Sequence, residues 1–142
     1  MTLNNIKSVQ KTLGLLLTVF SSTMLTPVVV ALIYQESTSL VFVASFLITG
    51  LFGLVLWLPA KKADTEIRLH EGFIIVASFW VVLALFGALP FFLLPELGLS
   101  ITNAVFESTS GLTTTGATIL TGLDELPRSL LFYRQQLQWR YR

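Results

Sequence analysis

The chain has 142 residues, of which 54% are hydrophobic and only 12% charged, about half the charge of an ordinary soluble domain. Nine Lys and Arg nearly balance eight Asp and Glu, so no basic field exists to hold a nucleic-acid backbone and no nucleic-acid partner is expected. With no cysteine and a single histidine, His70, the chain lacks the means for disulfide scaffolds, thiol nucleophiles, cysteine zinc sites and any centre needing two imidazoles.

The charges leave three uncharged runs, residues 12–35, 37–60 and 72–95, each of 24 residues. A helix of that length measures about 36 Å, enough to cross a hydrocarbon core of about 30 Å with some tilt. Three spanning helices of an all-α, polytopic membrane protein are predicted. The first, about residues 13–34, carries Ser21, Ser22 and Thr23 ahead of Pro27. Proline removes a backbone hydrogen bond and bends a helix, and nearby hydroxyls can satisfy the freed carbonyls. A cleavable signal peptide competes for this run, because Lys7 and Lys11 precede it. Against that reading, the apolar character continues to Tyr34 and no Ala-x-Ala site follows.

The second span, about residues 40–58, ends at Trp57 and Pro59, an interfacial aromatic and a helix stop. The third, about residues 72–94, is rich in Phe and Val and closes around Pro90 and Pro95. Gly14, Gly50, Gly53 and Gly87 read as positions where small residues let helix backbones approach. Lys7 and Lys11 precede the first span and Lys61, Lys62 and Arg68 follow the second, while residues 35–39 hold no Lys or Arg. Positive charge on the inner face then predicts a cytoplasmic amino terminus, a cytoplasmic link over residues 61–71, and an outer-face location for the chain after Pro95. His70 reads as an interfacial residue rather than a ligand.

After Ser100 the pattern changes. Residues 101–112 form a helix-like stretch of 12 residues, at about 18 Å too short to cross and long enough to reach mid-membrane. Glu107 lies in it, and the run Thr113, Thr114, Thr115, Gly116, Ala117, Thr118 follows. Non-helical, hydroxyl-rich backbone at membrane depth is costly unless it lines an aqueous path, as re-entrant loops do. Gly116 can take a positive φ and turn successive carbonyls toward a common axis, where they replace an ion's hydration shell. The short helix would point its negative end at this loop, favouring a cation. Glu107 has two readings: it tunes the outer pore electrostatically, or it is hydrogen-bonded behind the short helix as scaffolding. Residues 126–142 include Arg128, Arg134, Arg140 and Arg142 and are too few and too charged for a complete fourth span.

The run from Phe106 through Glu107, Ser108, Thr109, Ser110, Gly111 and Leu112 to Thr118 resembles the first pore loop of the bacterial Trk/Ktr potassium uptake family. The likeness extends over nearly the whole chain as an N-terminal fragment of the family's membrane subunit: two leading helices (1–60), a cytoplasmic link (61–71), and a first pore repeat (72–142) of outer helix, pore helix, filter loop and incomplete second helix. It implies backbone carbonyls of Thr114, Thr115, Gly116 and Ala117 as potassium ligands, with Thr113 and Thr118 flanking and Gly116 as the filter glycine. It also implies channel-like potassium permeation, no cofactor, no enzyme activity, a plasma-membrane (bacterial inner membrane) location, a homodimer, and a cytoplasmic nucleotide-binding regulatory partner. The family has four such repeats, so this chain reads as truncated and not competent alone. The alternatives are a non-transporting fragment that associates with a full-length copy and, remotely, an intramembrane serine protease with Ser110 as nucleophile and His70 as base.

Overall fold

The computed structural model describes residues 3–62 and 69–139. Arg68, Arg140 and Arg142, and most of the 61–71 link, lie outside the described residues. Seven α-helices follow one another: α1 (Leu3–Thr23), α2 (Leu25–Ile33), α3 (Ser39–Ala60), α4 (Leu69–Gly87), α5 (Leu89–Leu93), α6 (Ile101–Leu112) and α7 (Arg128–Leu137). Single 3-10 turns stand at Pro95–Leu97 and Leu123–Glu125, and the described residues contain no β-strand. Three stretches are long and apolar enough to cross a membrane: Ile6–Ile33, Ser39–Ala60 and Leu69–Leu93.

Two of these stretches are interrupted where proline makes the ladder fail. The first span is not one bent helix beginning near Leu13. It is helical from Leu3, breaks at Met24 and resumes at Leu25, so that Pro27 sits in the first turn of α2, where its missing N–H goes unneeded. Pro27 would have bonded the Thr23 carbonyl, which instead accepts from Thr26 Oγ1 at 2.6 Å and from Gln136 Nε2 at 3.0 Å. The third span begins three residues earlier than expected and breaks at Ala88, two residues before Pro90, with Tyr133 Oη donating to the Gly87 carbonyl at 2.8 Å. Pro59, expected to stop α3, lies inside its last turn, and the helix runs on through Ala60.

α1 and α2 run antiparallel to α3. Gln10 Nε2 donates to Leu56 O at 3.0 Å, and Thr49 Oγ1 points at Met24 Sδ at 3.7 Å, so partners descend α3 as α1 ascends. Glycine makes this seam close: a Cβ on Gly14 would stand 2.7 Å from both Gly53 O and Trp57 N, and one on Gly53 would stand 2.8 Å from Thr18 N. The core gathers at the opposite end from the amino terminus of α1. There Met24, Phe42, Phe91, Leu94, Ala104, Leu120, Leu130 and Tyr133 pack together. The Tyr133 ring lies 5.5 Å from those of Phe42 and Phe91, each within the distance at which edge and tilted aromatic pairs attract. This cluster draws the leading hairpin, α5, α6 and α7 onto one another and fixes where α6 releases the chain.

Candidate pore-loop site

α6 occupies the 12 residues anticipated for a half-crossing helix, Ile101–Leu112. Ser100 starts it, its Oγ accepting from Asn103 N at 3.2 Å, an N-cap that satisfies one orphan donor of the first turn. At the other end the backbone reverses. Thr113 N bonds Thr109 O at 2.9 Å, Thr114 N bonds Gly111 O at 3.0 Å, and Thr115 N bonds Ser110 O at 3.0 Å. Thr114 takes φ 55° and Gly116 φ 75°. The threonine carries a conformation that disfavours a branched side chain, so the turn is set by its surroundings rather than by local preference. From Thr113 to Ile119 every residue is exposed.

What holds this loop is a set of polar ties reaching it from behind. Glu107, 1% exposed, accepts through Oε1 from Thr118 Oγ1 at 2.5 Å and from Ile119 N at 2.6 Å. Thr118 Oγ1 in turn accepts from Leu120 N at 3.0 Å. Ser110 Oγ donates to Ala117 O at 2.6 Å. Arg134, on α7 and 8% exposed, places Nε 3.5 Å from Glu107 Oε2 and Nη2 3.5 Å from Gly116 O. Thr113 Oγ1 meets Thr115 Oγ1 at 2.8 Å on the exposed side. Among the described residues no donor is hydrogen-bonded to the carbonyls of Thr114 or Thr115.

These contacts bring Glu107, Ser110, Thr113, Thr115, Gly116, Ala117 and Thr118 into one hairpin. They do not bring His70 to it. Ser108 Oγ lies against Gly87, and His70 stands 17 residues back along α4, about 25 Å at the helical rise, with its imidazole mainly exposed and 4.0 Å from Glu71. Ser110 Oγ donates its hydrogen bond to the Ala117 carbonyl. The geometry for a serine–histidine pair is absent, which removes the protease reading. The described residues hold no group of three or more His, Cys, Asp or Glu poised for a metal ion.

Two participants were invisible along the chain. Arg134 read as one of four arginines barring a span, and only the fold turns it toward Glu107. Glu36, in the link between α2 and α3, accepts from Arg128 N at 2.6 Å and from Ser129 N and Oγ at 3.0 and 2.6 Å. It thereby caps α7 from 92 residues away, while the Arg128 guanidinium sits over the Tyr34 ring at 4.6 Å. Burial pushes the Glu36 carboxyl up, but the bonds from Ser129, Arg128 and Thr38 outweigh it and the net shift is downward. Pro127 before α7 was a usable sign that a helix starts there.

Residues 38–140 match the TrkH family, described as cation transport protein. The chain is 47% identical over 133 residues to the Trk system potassium uptake protein TrkH of Vibrio parahaemolyticus, covering 94% of this chain and 27% of that one. It is 49% identical to TrkH of Escherichia coli (94% and 28%) and 38% identical to TrkG of Escherichia coli (98% and 29%). The crystal structure of the potassium transporter TrkH from Vibrio parahaemolyticus superposes with a TM-score of 0.89 at 46% identity, covering 94% of this chain and 29% of that one. The chain thus spans a little over a quarter of the length of the curated relatives it matches. On these matches and on its all-helical fold, the chain belongs to the TrkH family of cation transport proteins.

Proposed function

We propose that these 142 residues are the leading helices and first pore repeat of a potassium uptake protein, in which the 113–118 loop supplies one of the segments that strip water from a permeating ion. The family is one of membrane transporters and not of enzymes. The observation that carries the reading is a short helix ending in a reversed loop tied from behind by Glu107 and Ser110, with its other side exposed. The carbonyls of Thr114, Thr115, Gly116 and Ala117 are the proposed ligands. Those of Thr114 and Thr115 accept nothing among the described residues, while Ala117 O accepts a hydrogen bond from Ser110 Oγ and Gly116 O faces Arg134. A carbonyl has two lone pairs, so one bond to the protein orients it and leaves a second direction for a cation. The negative end of α6 points at the same place. Glu107 serves as scaffolding on this reading, its oxygens spent on the loop and on Arg134.

Inward movement would be driven by the membrane potential, about 2.3 kcal/mol per charge for each 100 mV. We further infer a plasma membrane of bacterial inner-membrane type, an amino terminus in the cytoplasm, repeat boundaries at 1–60, 61–71 and 72–142, a homodimer, and a cytoplasmic nucleotide-binding regulator. The hydroxyl-rich loop would then dip into the bilayer from the outer face as a re-entrant segment. The test is a segment exchange: Escherichia coli TrkH carrying these residues in place of its own equivalent stretch should restore growth of a potassium-uptake-deficient strain at low potassium. Failure of that chimera at normal membrane abundance would refute the reading. Gly116→Ala should abolish rescue, because Gly116 has open space around it and only its φ forbids a side chain. The 142 residues expressed alone should not rescue, since one repeat encloses no path.

A further inference from the structure

We propose that Arg134 is an affinity-determining residue of the pore loop, its guanidinium cancelling the Glu107 charge behind the loop and lying close to the Gly116 carbonyl. The inference rests on the potassium reading above and names a control on that same site. The pair is almost wholly enclosed, Glu107 on α6 and Arg134 on α7. Glu107 Oε2 and Arg134 Nε are both buried with no hydrogen-bond partner, and they lie 3.5 Å from each other. At that distance the attraction is coulombic rather than a well-formed hydrogen bond. The remaining reach of the guanidinium goes to Gly116 O, the oxygen at the one glycine of the hairpin.

Burying two charges is costly, and such a pair is weak evidence for stability by itself. Its position argues for a role in ion affinity. The same carboxylate binds the backbone of Ile119 and the hydroxyl of Thr118 through its other oxygen, so it stands directly behind the proposed carbonyl ligands. Unpaired, it would draw a cation into the loop and retain it. An unpaired guanidinium in the same place would repel the cation. Conduction needs binding strong enough to enter and weak enough to leave, and a neutral pair leaves that balance to the carbonyls and the α6 terminus.

The experiment is a charge cycle in the Escherichia coli TrkH chimera, reading the KM and maximal rate of rubidium uptake. Glu107→Gln keeps an oxygen for Ile119 N, removes the charge and turns an amide NH2 toward Arg134. It should raise the KM on the order of tenfold, the size expected for one uncompensated charge several ångströms from a cation at an effective dielectric constant of about 20. Adding Arg134→Gln should return the KM to within about twofold of the parent chimera, since opposite charges removed together restore neutrality. A merely structural pair would also be rescued by the double change, but its single variant would lose maximal rate through lost folded protein while the KM stayed at the parent value, and an unchanged KM in Glu107→Gln overturns the proposal. A parent chimera with no uptake would instead sink the potassium reading. A second measurement keeps the pair itself testable. In the 142-residue chain in lipid nanodiscs, solvent exchange of the Arg134 Nε–H, followed by nitrogen-15 NMR, should quicken at least tenfold on Glu107→Gln. Equal exchange rates in both would overturn the proposal whatever the chimera does.

Discussion

The α1–α3 seam and the 113–119 hairpin both depend on glycine, at the seam for close approach and at the hairpin for a positive φ, and they are held by opposite means. At the seam, Gly14 and Gly53 remove side chains so that two helices touch directly, and dispersion between complementary surfaces does the work. At the hairpin, the backbone is irregular, one side is exposed, and Glu107, Ser110 and Arg134 tie the other side with charge and hydrogen bonds. The hairpin is fixed from one side only, which is the condition for presenting carbonyls to something else.

On that contrast, Glu107→Ala should be the most damaging change, by about 3–5 kcal/mol, because it leaves the Arg134 charge buried without its partner and unties Thr118 and Ile119. Thermal unfolding of the chain in detergent, read by near-ultraviolet circular dichroism, measures it; a loss under 1 kcal/mol would contradict a tied hairpin. Gly53→Val comes next, at about 3 kcal/mol, since the new Cβ would strike Thr18 N and Gly14 O. Here the helices should separate while exchange of the Ile119 amide stays unchanged, which sharpens the division between the two regions. Ser110→Ala removes one bond to Ala117 O and should cost about 1 kcal/mol, with faster chimera inactivation but intact growth rescue.

The smallest effect concerns Glu36. Its carboxyl is held below the usual range by the α7 bonds that outweigh burial. The lowered group stabilises the folded state above the pH where the unfolded carboxyl titrates, and the contribution fades as pH falls through the lower native value. Protection of the Arg128 and Ser129 amides should therefore hold at neutral pH and decline in acid, and Glu36→Gln should flatten that dependence. A decline that persists in Glu36→Gln would assign it to another group.

The spans were legible because lipid imposes a length and an apolarity that any reader of the chain can measure, and α6 was legible because a helix-like stretch of 12 residues before Thr113 is too short to cross. The breaks were less so. Pro27 and Pro90 announce a disturbance, yet it falls at Met24 and Ala88, because proline is accommodated in the first turn of a new helix more cheaply than in the middle of an old one. The loop residues could be named from their hydroxyls and Gly116. What supports them could not, since Glu107 meets Arg134 across 27 positions and Glu36 meets Ser129 across 93.

By itself, then, the order of residues determined an all-helical chain, three stretches long and apolar enough to cross a membrane, and a 12-residue helix followed by an irregular hydroxyl-rich run. Those are local consequences of hydropathy, length and backbone freedom. Only the tertiary structure decided which charges are paired, which carbonyls are occupied and which side of the loop is open. Such outcomes depend on distances between segments remote in sequence, and a buried charge acquires its meaning only from the partner that the fold sets beside it.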